Sequence, residues 1–499
     1  PPKRELPILE SGENYVLVAG DFFGIQKFIF ERLSTKNAAK VLRAKSAFIQ
    51  LYTDYLAKYI CYALNIEESY ILSITAGKFE ILSQASDTEV TIKKVQQSVD
   101  SYFMEHFFGL SGVSLCCVVC QKEDFESKTE YRNLRERISN GVEENKFHKF
   151  NLIEQSDFVM HYDDGVDNQT LCDVCNIRKR IPKNDTCKIC NGFIELGKKL
   201  VKKEQSVATS DDLNITMDGF NVWQKTLDAK IKSYILHQEY SKPADFETLA
   251  QNSCADLDTG IKSLATLKAD VDSMGRFLRE SDVTDSFENF ALFSESLDNF
   301  FSLYVPSVMR KKYRNTYTVF AGGDDLFLVG AWDEILRLSR EIHKEFQKFI
   351  KGKLSISFGI ALAKPSHPIA HLAHYTEHLL EASKGIDAEK NAITIFGETV
   401  KWKSYKEAFD TLQKEFDTLN NDDTNTAFLY RLLDFCEMSK KVKEGNIEAT
   451  MWKSKLRYSF SRNNKNLGET FFGVLDNAIE KNPSQTKMFL CEFIYKRRK

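Results

Sequence analysis

Apolar, β-prone residues run from Tyr317 to Gly322-Gly323-Asp324-Asp325, and a second apolar run, Leu326–Val329, leads away. This pattern predicts a β-hairpin with two glycines and two carboxylates at its tip. Glycine lets the backbone turn sharply and lets a phosphate approach. Adjacent carboxylates on a rigid tip suit the divalent ions of phosphoryl and nucleotidyl transfer. Asp163-Asp164, Asp211-Asp212 and Asp422-Asp423 also occur, but in polar stretches that read as solvated turns.

The same order of elements is written twice. The first copy has a strand Tyr15–Ala19, a loop Asp21-Phe22-Phe23-Gly24, a helical stretch, and a hairpin of Tyr70–Thr75, Gly77-Lys78 and Phe79–Leu82. A helix Val90–Phe107 and a strand Val113–Val119 follow. The second has a strand Ser263–Ala269, a loop Asp270–Gly275, a helical stretch and the Gly322–Asp325 hairpin. It closes with a helix Glu334–Phe349 and a strand Leu354–Leu362. Each copy reads as a βαββαβ ferredoxin-like unit. The first has Ala76-Gly77-Lys78 at its hairpin and no carboxylates.

The expected fold class is therefore α+β, in four domains: 1–150, the first ferredoxin-like unit; 151–255, a zinc-containing linker; 256–400, the unit with the GGDD hairpin; and 401–499, helical. In the linker, Cys172-Asp173-Val174-Cys175 and Cys187-Lys188-Ile189-Cys190 are separated by eleven residues. Two CxxC knuckles at that spacing offer four thiolates to one tetrahedral structural zinc. Cys117-Val118-Val119-Cys120 ends an apolar strand without a partner pair and reads as core thiols. After residue 400, Phe409–Phe416, Thr426–Met438 and Asn464–Glu480 predict a helical bundle that packs against partners.

A chain of 499 residues, 42% hydrophobic, can fill several cores. A net charge of −3 excludes a polycationic nucleic-acid coat. The basic clusters Arg178-Lys179-Arg180, Lys198-Lys199, Lys202-Lys203, Arg310-Lys311-Lys312 and Lys496–Lys499 read as solvated faces. Eleven cysteines, four of them in metal spacing, fit a reducing cytoplasm better than a disulfide scaffold. No run has the length of a membrane span, and the N-terminus lacks a signal-peptide form.

In a ferredoxin-like sheet the strand ending at Asp270 lies beside the hairpin, so Asp270 is expected to join Asp324 and Asp325 in holding two Mg²⁺ or Mn²⁺ ions. Asp272 reads as a cap for the following helix. Lys384, at the end of a helix, can reach a triphosphate as a point charge or remain solvated. His367, His371, His374 and His378 recur on one helical face and read as a surface or interface stripe. The chain contains no His-Asp dipeptide, so an HD-type nuclease site is not encoded in it.

Gly20-Asp21-Phe22-Phe23-Gly24-Ile25-Gln26-Lys27-Phe28-Ile29-Phe30 resembles the GD-x-SGIQ-x-FIF signature of the large subunit of type III CRISPR effector complexes, and Phe23 stands where that signature has Ser. Leu42-Arg43-Ala44-Lys45-Ser46 resembles the LRGRS of its Csm-type (type III-A) branch. The CxxC pairs, the GGDD hairpin and Lys390-Asn391-Ala392-Ile393-Thr394-Ile395-Phe396-Gly397 follow in the family's order. The palm is similar to that of diguanylate cyclases.

The resemblance implies two facing palms that bind two ATP molecules and join them 3′–5′ into cyclic oligoadenylates when target RNA pairs with the guide RNA. It implies Gly322, Gly323, Ser273, Lys384, Asn391, Gly24, Gln26 and Gly77 as ATP-binding residues. The implied partners are guide and target RNA, the subunit capping the guide's 5′ end and the small helical subunit, with no membrane. Family members usually begin with an HD domain that cuts single-stranded DNA. This chain starts almost at its first palm and is expected to be a truncated piece. The rival readings are a GGDEF-like cyclic dinucleotide synthase and a non-catalytic scaffold.

Overall fold

The computed structural model describes residues 6–30, 33–34, 37–75, 77–84, 86–147, 171–201, 206–226, 245–257, 259–419, 425–463 and 467–498. Ala76, Asp163-Asp164, Lys202-Lys203, Asp422-Asp423, the expected helix start at Asn464 and Lys499 lie outside them. The chain divides into two compact units. One comprises Pro1–Asp245, Ser273–Leu328 and Ser366–Ala373; the other comprises Phe246–Asp272, Val329–Pro365 and His374–Lys499.

In the first unit, β1 (Tyr15–Phe23) leads through helix Ala38–Ala63 to β2 (Ile71–Thr75) and β3 (Lys78–Ser83). Helix Thr88–Phe107 and β4 (Gly112–Cys120) complete the motif. The strand order is β2-β3-β1-β4. β1 is antiparallel to both neighbours, and Asp21 pairs with Lys78 on one side and Ser114 on the other. The expected Asp21–Phe23 loop is therefore the end of a strand. Its alternation explains why: Phe22 turns inward, edge-on to Phe28, Tyr52 and Phe103, while Asp21 is outside on Lys146 at 2.9 Å.

Helix Ala38–Ala63 is buried over most of its surface, because the sheet covers one face and helix Lys188–Lys199 of the linker lies against another. The linker's short ribbon, β5 (Ser206–Ala208) with β6 (Gln224–Thr226), belongs to the same unit.

β7 (Leu264–Val271) begins the second repeat, followed by β8 (Thr316–Gly322), β9 (Asp325–Ala331), β10 (Ile356–Ala363), β11 (Ala392–Ile395) and β12 (Glu398–Lys401). The strand order is β12-β11-β10-β7-β9-β8, the order of the first sheet with two strands added at one edge. β10 is antiparallel to β7 and parallel to β11. The expected strand Leu354–Leu362 is observed as Ile356–Ala363. β11 stops at Ile395, because Phe396 and Gly397 take positive φ in the turn to β12.

The C-terminal segment is helical: Trp402–Phe416, Thr426–Lys443, Trp452–Asn463, Gly468–Lys481 and Pro483–Arg497. Phe416, Phe428, Leu432, Trp452, Phe471 and Phe489 share its core. The last helix was not anticipated. It carries Glu492, buried, against Arg340 at 2.9 Å and Lys496 at 2.7 Å. Burial alone would raise the Glu492 pKa, but these cations more than offset it and bring it to about 2, from an ordinary 4.5.

A carboxylate with a depressed folded pKa adds stability above its unfolded pKa and loses it as pH falls toward the folded value. Glu492→Gln is expected to cost about 3 kcal/mol at pH 7. Denaturant titrations should show that deficit shrinking between pH 4.5 and 2.

Candidate active site

The apolar runs that predicted the hairpin are buried along both strands. Between Gly322 and Asp325 only Gly323 and Asp324 form the turn. Gly323 has φ +62, and a Cβ built there would meet nothing within 4 Å. The backbone is thus open on that side, as a close-approaching phosphate requires. Gly323, Asp324 and Asp325 are half-buried at the tip.

The first sheet reaches this tip within the same unit. Gly24 follows β1 with φ +70, and a Cβ there would lie 2.6 Å from the Leu110 carbonyl oxygen. The chain then enters the helix Ile25–Phe30, so Gln26 is helical. Its Nε2 donates to Asp325 Oδ2 at 3.2 Å. Phe30 and Phe327 lie 4.5 Å apart, ring to ring, and the Ser46 hydroxyl donates to the Val319 carbonyl. Gly77 has φ +86 and accepts from the Phe22 N–H at 2.9 Å. Lys78 is exposed at the start of β3.

Asp270 lies in the other unit, next to last in β7, and forms an ion pair with Lys384 at the end of helix Ile369–Lys384. Lys384 is therefore ion-paired rather than solvated.

Asp272 does not cap the next helix. It is buried, and its Oδ2 accepts from Ser355 Oγ at 2.7 Å, Ser357 Oγ at 3.0 Å and the Asn391 N–H at 3.0 Å. The residue at the N-cap is Ser273, with φ 57 and no side-chain cap bond. Asn391 has φ 49, and its Oδ1 meets His343 Nε2 at 3.0 Å. Burial holds the His343 pKa down at about 4, so near neutrality its ring is uncharged and donates that bond.

Cys172, Cys175, Cys187 and Cys190 are buried, with all four sulfurs within 4.8 Å of one another. A zinc tetrahedron has sulfur–sulfur edges of about 3.8 Å, so the cluster fits the ion closely. Cys187 is the N-cap of helix Lys188–Lys199 and accepts from the Cys190 N–H at 3.4 Å. Among the described residues this is the only group of three or more with metal-binding geometry. Cys116 and Cys120 are buried free thiols, and Cys117 is half-buried. The four histidines of the stripe are exposed. Among the described residues no helix is long and apolar enough to cross a membrane.

Two β-α-β-β-α-β sheets, one with a GGDD turn, define a palm-type protein carrying a four-cysteine insert. Residues 263–394 match the second palm domain of Cas10/Cmr2, and residues 14–164 match domain B of the Csm1 subunit, together more than half of the chain. The chain belongs to the Cas10/Csm1 family of subtype III-A CRISPR systems.

It is 23% identical to the CRISPR system single-strand-specific deoxyribonuclease Cas10/Csm1 of Streptococcus thermophilus, over 87% of this chain and 61% of that protein. It is 26% identical to the protein of the same name from Methanocaldococcus jannaschii, over 82% of this chain and 65% of that one. The chain thus spans a little over three fifths of these relatives. Among solved structures it is similar to an apo Csm1-Csm4 cassette, with TM-score 0.70, 19% identity and coverage of 97% of this chain and 70% of that one. A Csm1-Csm4 cassette in complex with cA4 gives TM-score 0.66, 19% identity and coverage of 97% and 70%.

Proposed function

We propose that this chain joins ATP molecules 3′–5′ into cyclic oligoadenylates, as the large subunit of a type III-A effector complex activated by target RNA. The observation that carries the reading is the intact Asp324-Asp325 pair at an open two-residue turn between buried strands. Support comes from the palm match and from similar folds solved as Csm1-Csm4 cassettes with one ATP and with cA4.

Both sheets are read as ferredoxin-like palms. Asp270, near the end of β7, is assigned in this reading to the same metal site as Asp324 and Asp325. When bound there, two Mg²⁺ or Mn²⁺ ions would activate a 3′-hydroxyl and neutralise the leaving pyrophosphate. Gly323 leaves the backbone open to the triphosphate, and Gly322, the buried last residue of β8, would sit beside it. Lys384 would exchange Asp270 for phosphate oxygens once a metal takes over that carboxylate. Ser273 and Asn391 would contact the nucleotide, Asn391 being bonded to Asp272 and His343. The four cysteines hold a structural zinc. In this reading the domains are 1–150, 151–255, 256–400 and 401–499, and the chain works in the cytoplasm with guide and target RNA, the subunit capping the guide's 5′ end and the small helical subunit.

The first palm, without hairpin carboxylates, would hold a second ATP through Gly24, Gln26 and Gly77, orienting it toward the first. A structure with an ATP analogue is expected to show two nucleotides, one of them touching Gly24–Gln26. A single nucleotide confined to the GGDD palm at saturating ligand would remove this role.

The test of the activity is product mass from ATP with Mg²⁺ or Mn²⁺, with and without the remaining subunits and target RNA. Cyclic oligoadenylates that depend on target RNA are expected. A GTP-derived cyclic dinucleotide would establish the GGDEF-like alternative, and no pyrophosphate release would establish a scaffold.

A further inference from the structure

We infer that Gln26 is a positioning residue for Asp325, so that the first palm helps to build the metal site of the second. The inference rests on the palm reading above. Its observation is the bond from Gln26 Nε2 to Asp325 Oδ2, 3.2 Å long, between residues 299 apart in sequence and inside one compact unit.

Both ends of that bond are anchored. On one side, a side chain at Gly24 would run into the Leu110 carbonyl. The helix behind it is pinned by Phe28 among Phe22, Phe48 and Phe107 and by Lys45 Nζ on the Phe28 carbonyl at 2.7 Å. On the other, the hairpin strands are tied by Phe30 to Phe327 and by Ser46 to Val319. These two ties are apolar packing and a backbone bond. The third tie ends on a carboxylate proposed to bind metal.

An aspartate side chain has two rotatable torsions. A fixed donor on one oxygen selects an orientation before the cation arrives, the usual role of outer partners in metal sites. The donor is also neutral. A lysine here would compete with the cation for the carboxylate charge, whereas an amide leaves that charge intact.

The experiment uses the assembled complex with Gln26→Met, which keeps the side chain's length but has no N–H. Mn²⁺ binding to the nucleotide-free complex is read by electron paramagnetic resonance. The Mn²⁺ activation constant and the KM for ATP are read from product formation. Both Mn²⁺ constants are expected to rise about tenfold, by more than the KM for ATP rises, with an unchanged melting temperature. Unchanged Mn²⁺ constants would overturn the inference. So would a rise in KM alone, which would return Gln26 to a ribose or base contact. Gln26→Asn, too short to reach Asp325, is expected to repeat the result and covers a Met variant that fails to fold. Asp324→Ala with Asp325→Ala runs beside them. If it loses the palm Mn²⁺ signal while the Gln26 variants bind normally, the inference alone fails. If it keeps the signal, the palm reading itself fails.

Discussion

Asp324→Ala with Asp325→Ala is expected to abolish adenylate joining, by a thousandfold or more (order of magnitude), while complex assembly and melting temperature stay at wild-type values. The expectation follows from where the two residues sit. Asp324 is in the turn and Asp325 opens β9, both half-buried, whereas the strands behind them supply the buried packing. Removing their carboxylates takes away ligands and leaves the apolar faces of β8 and β9 untouched. The hydrogen bond from Gln26 to Asp325 is of the kind worth about 1 kcal/mol. Product yield is measured by mass with Mg²⁺ and with Mn²⁺. Wild-type yield from the double variant would sink the assignment of the metal site.

Cys172→Ser with Cys175→Ser is expected to lose about one zinc per chain and lower the melting temperature by about 10 °C, since metal binding and folding are linked at a closed thiolate site. The effect should extend beyond the knuckle. The Ser34 N–H and hydroxyl bond the Val174 and Asp173 carbonyls at 2.9 and 2.6 Å. Arg43, buried, donates to the Gly197 carbonyl at 3.2 Å. Phe193 packs against Phe28 and Phe48. A loosened cluster therefore loosens the first palm and the anchor of Gln26, so the same variant should also lose product yield. Elemental analysis and a thermal scan on one preparation check both. Zinc-free wild-type protein purified without chelator would count against the site.

Much of the candidate site is legible in the sequence alone, for physical reasons that differ from motif to motif. The GGDD hairpin stood out because strand periodicity and turn chemistry are local, and local signals survive in a single sequence. The CxxC pairs stood out because a tetrahedral ion demands a narrow spacing. Strand ends were less legible. β1 runs on through Phe23 because Phe22 finds an aromatic core that its neighbours in sequence do not reveal. Asp272 looked like a cap by its position before a helix. Its partners, Ser355, Ser357 and Asn391, lie 83 to 119 residues away.

The sequence by itself determined the two β-α-β-β-α-β repeats, the carboxylate tip on only the second of them, and the four-thiolate cluster. Each depends on residues close along the chain, where sterics, periodicity or ligand spacing leave few choices. The tertiary structure alone decided which side chain meets which across long separations. It set Gln26 on Asp325, Lys384 on Asp270, and the Asp272–Asn391–His343 chain under the last part of the palm. Such pairings are chosen by how whole layers pack, and a buried donor or charge takes whatever partner that packing brings within reach.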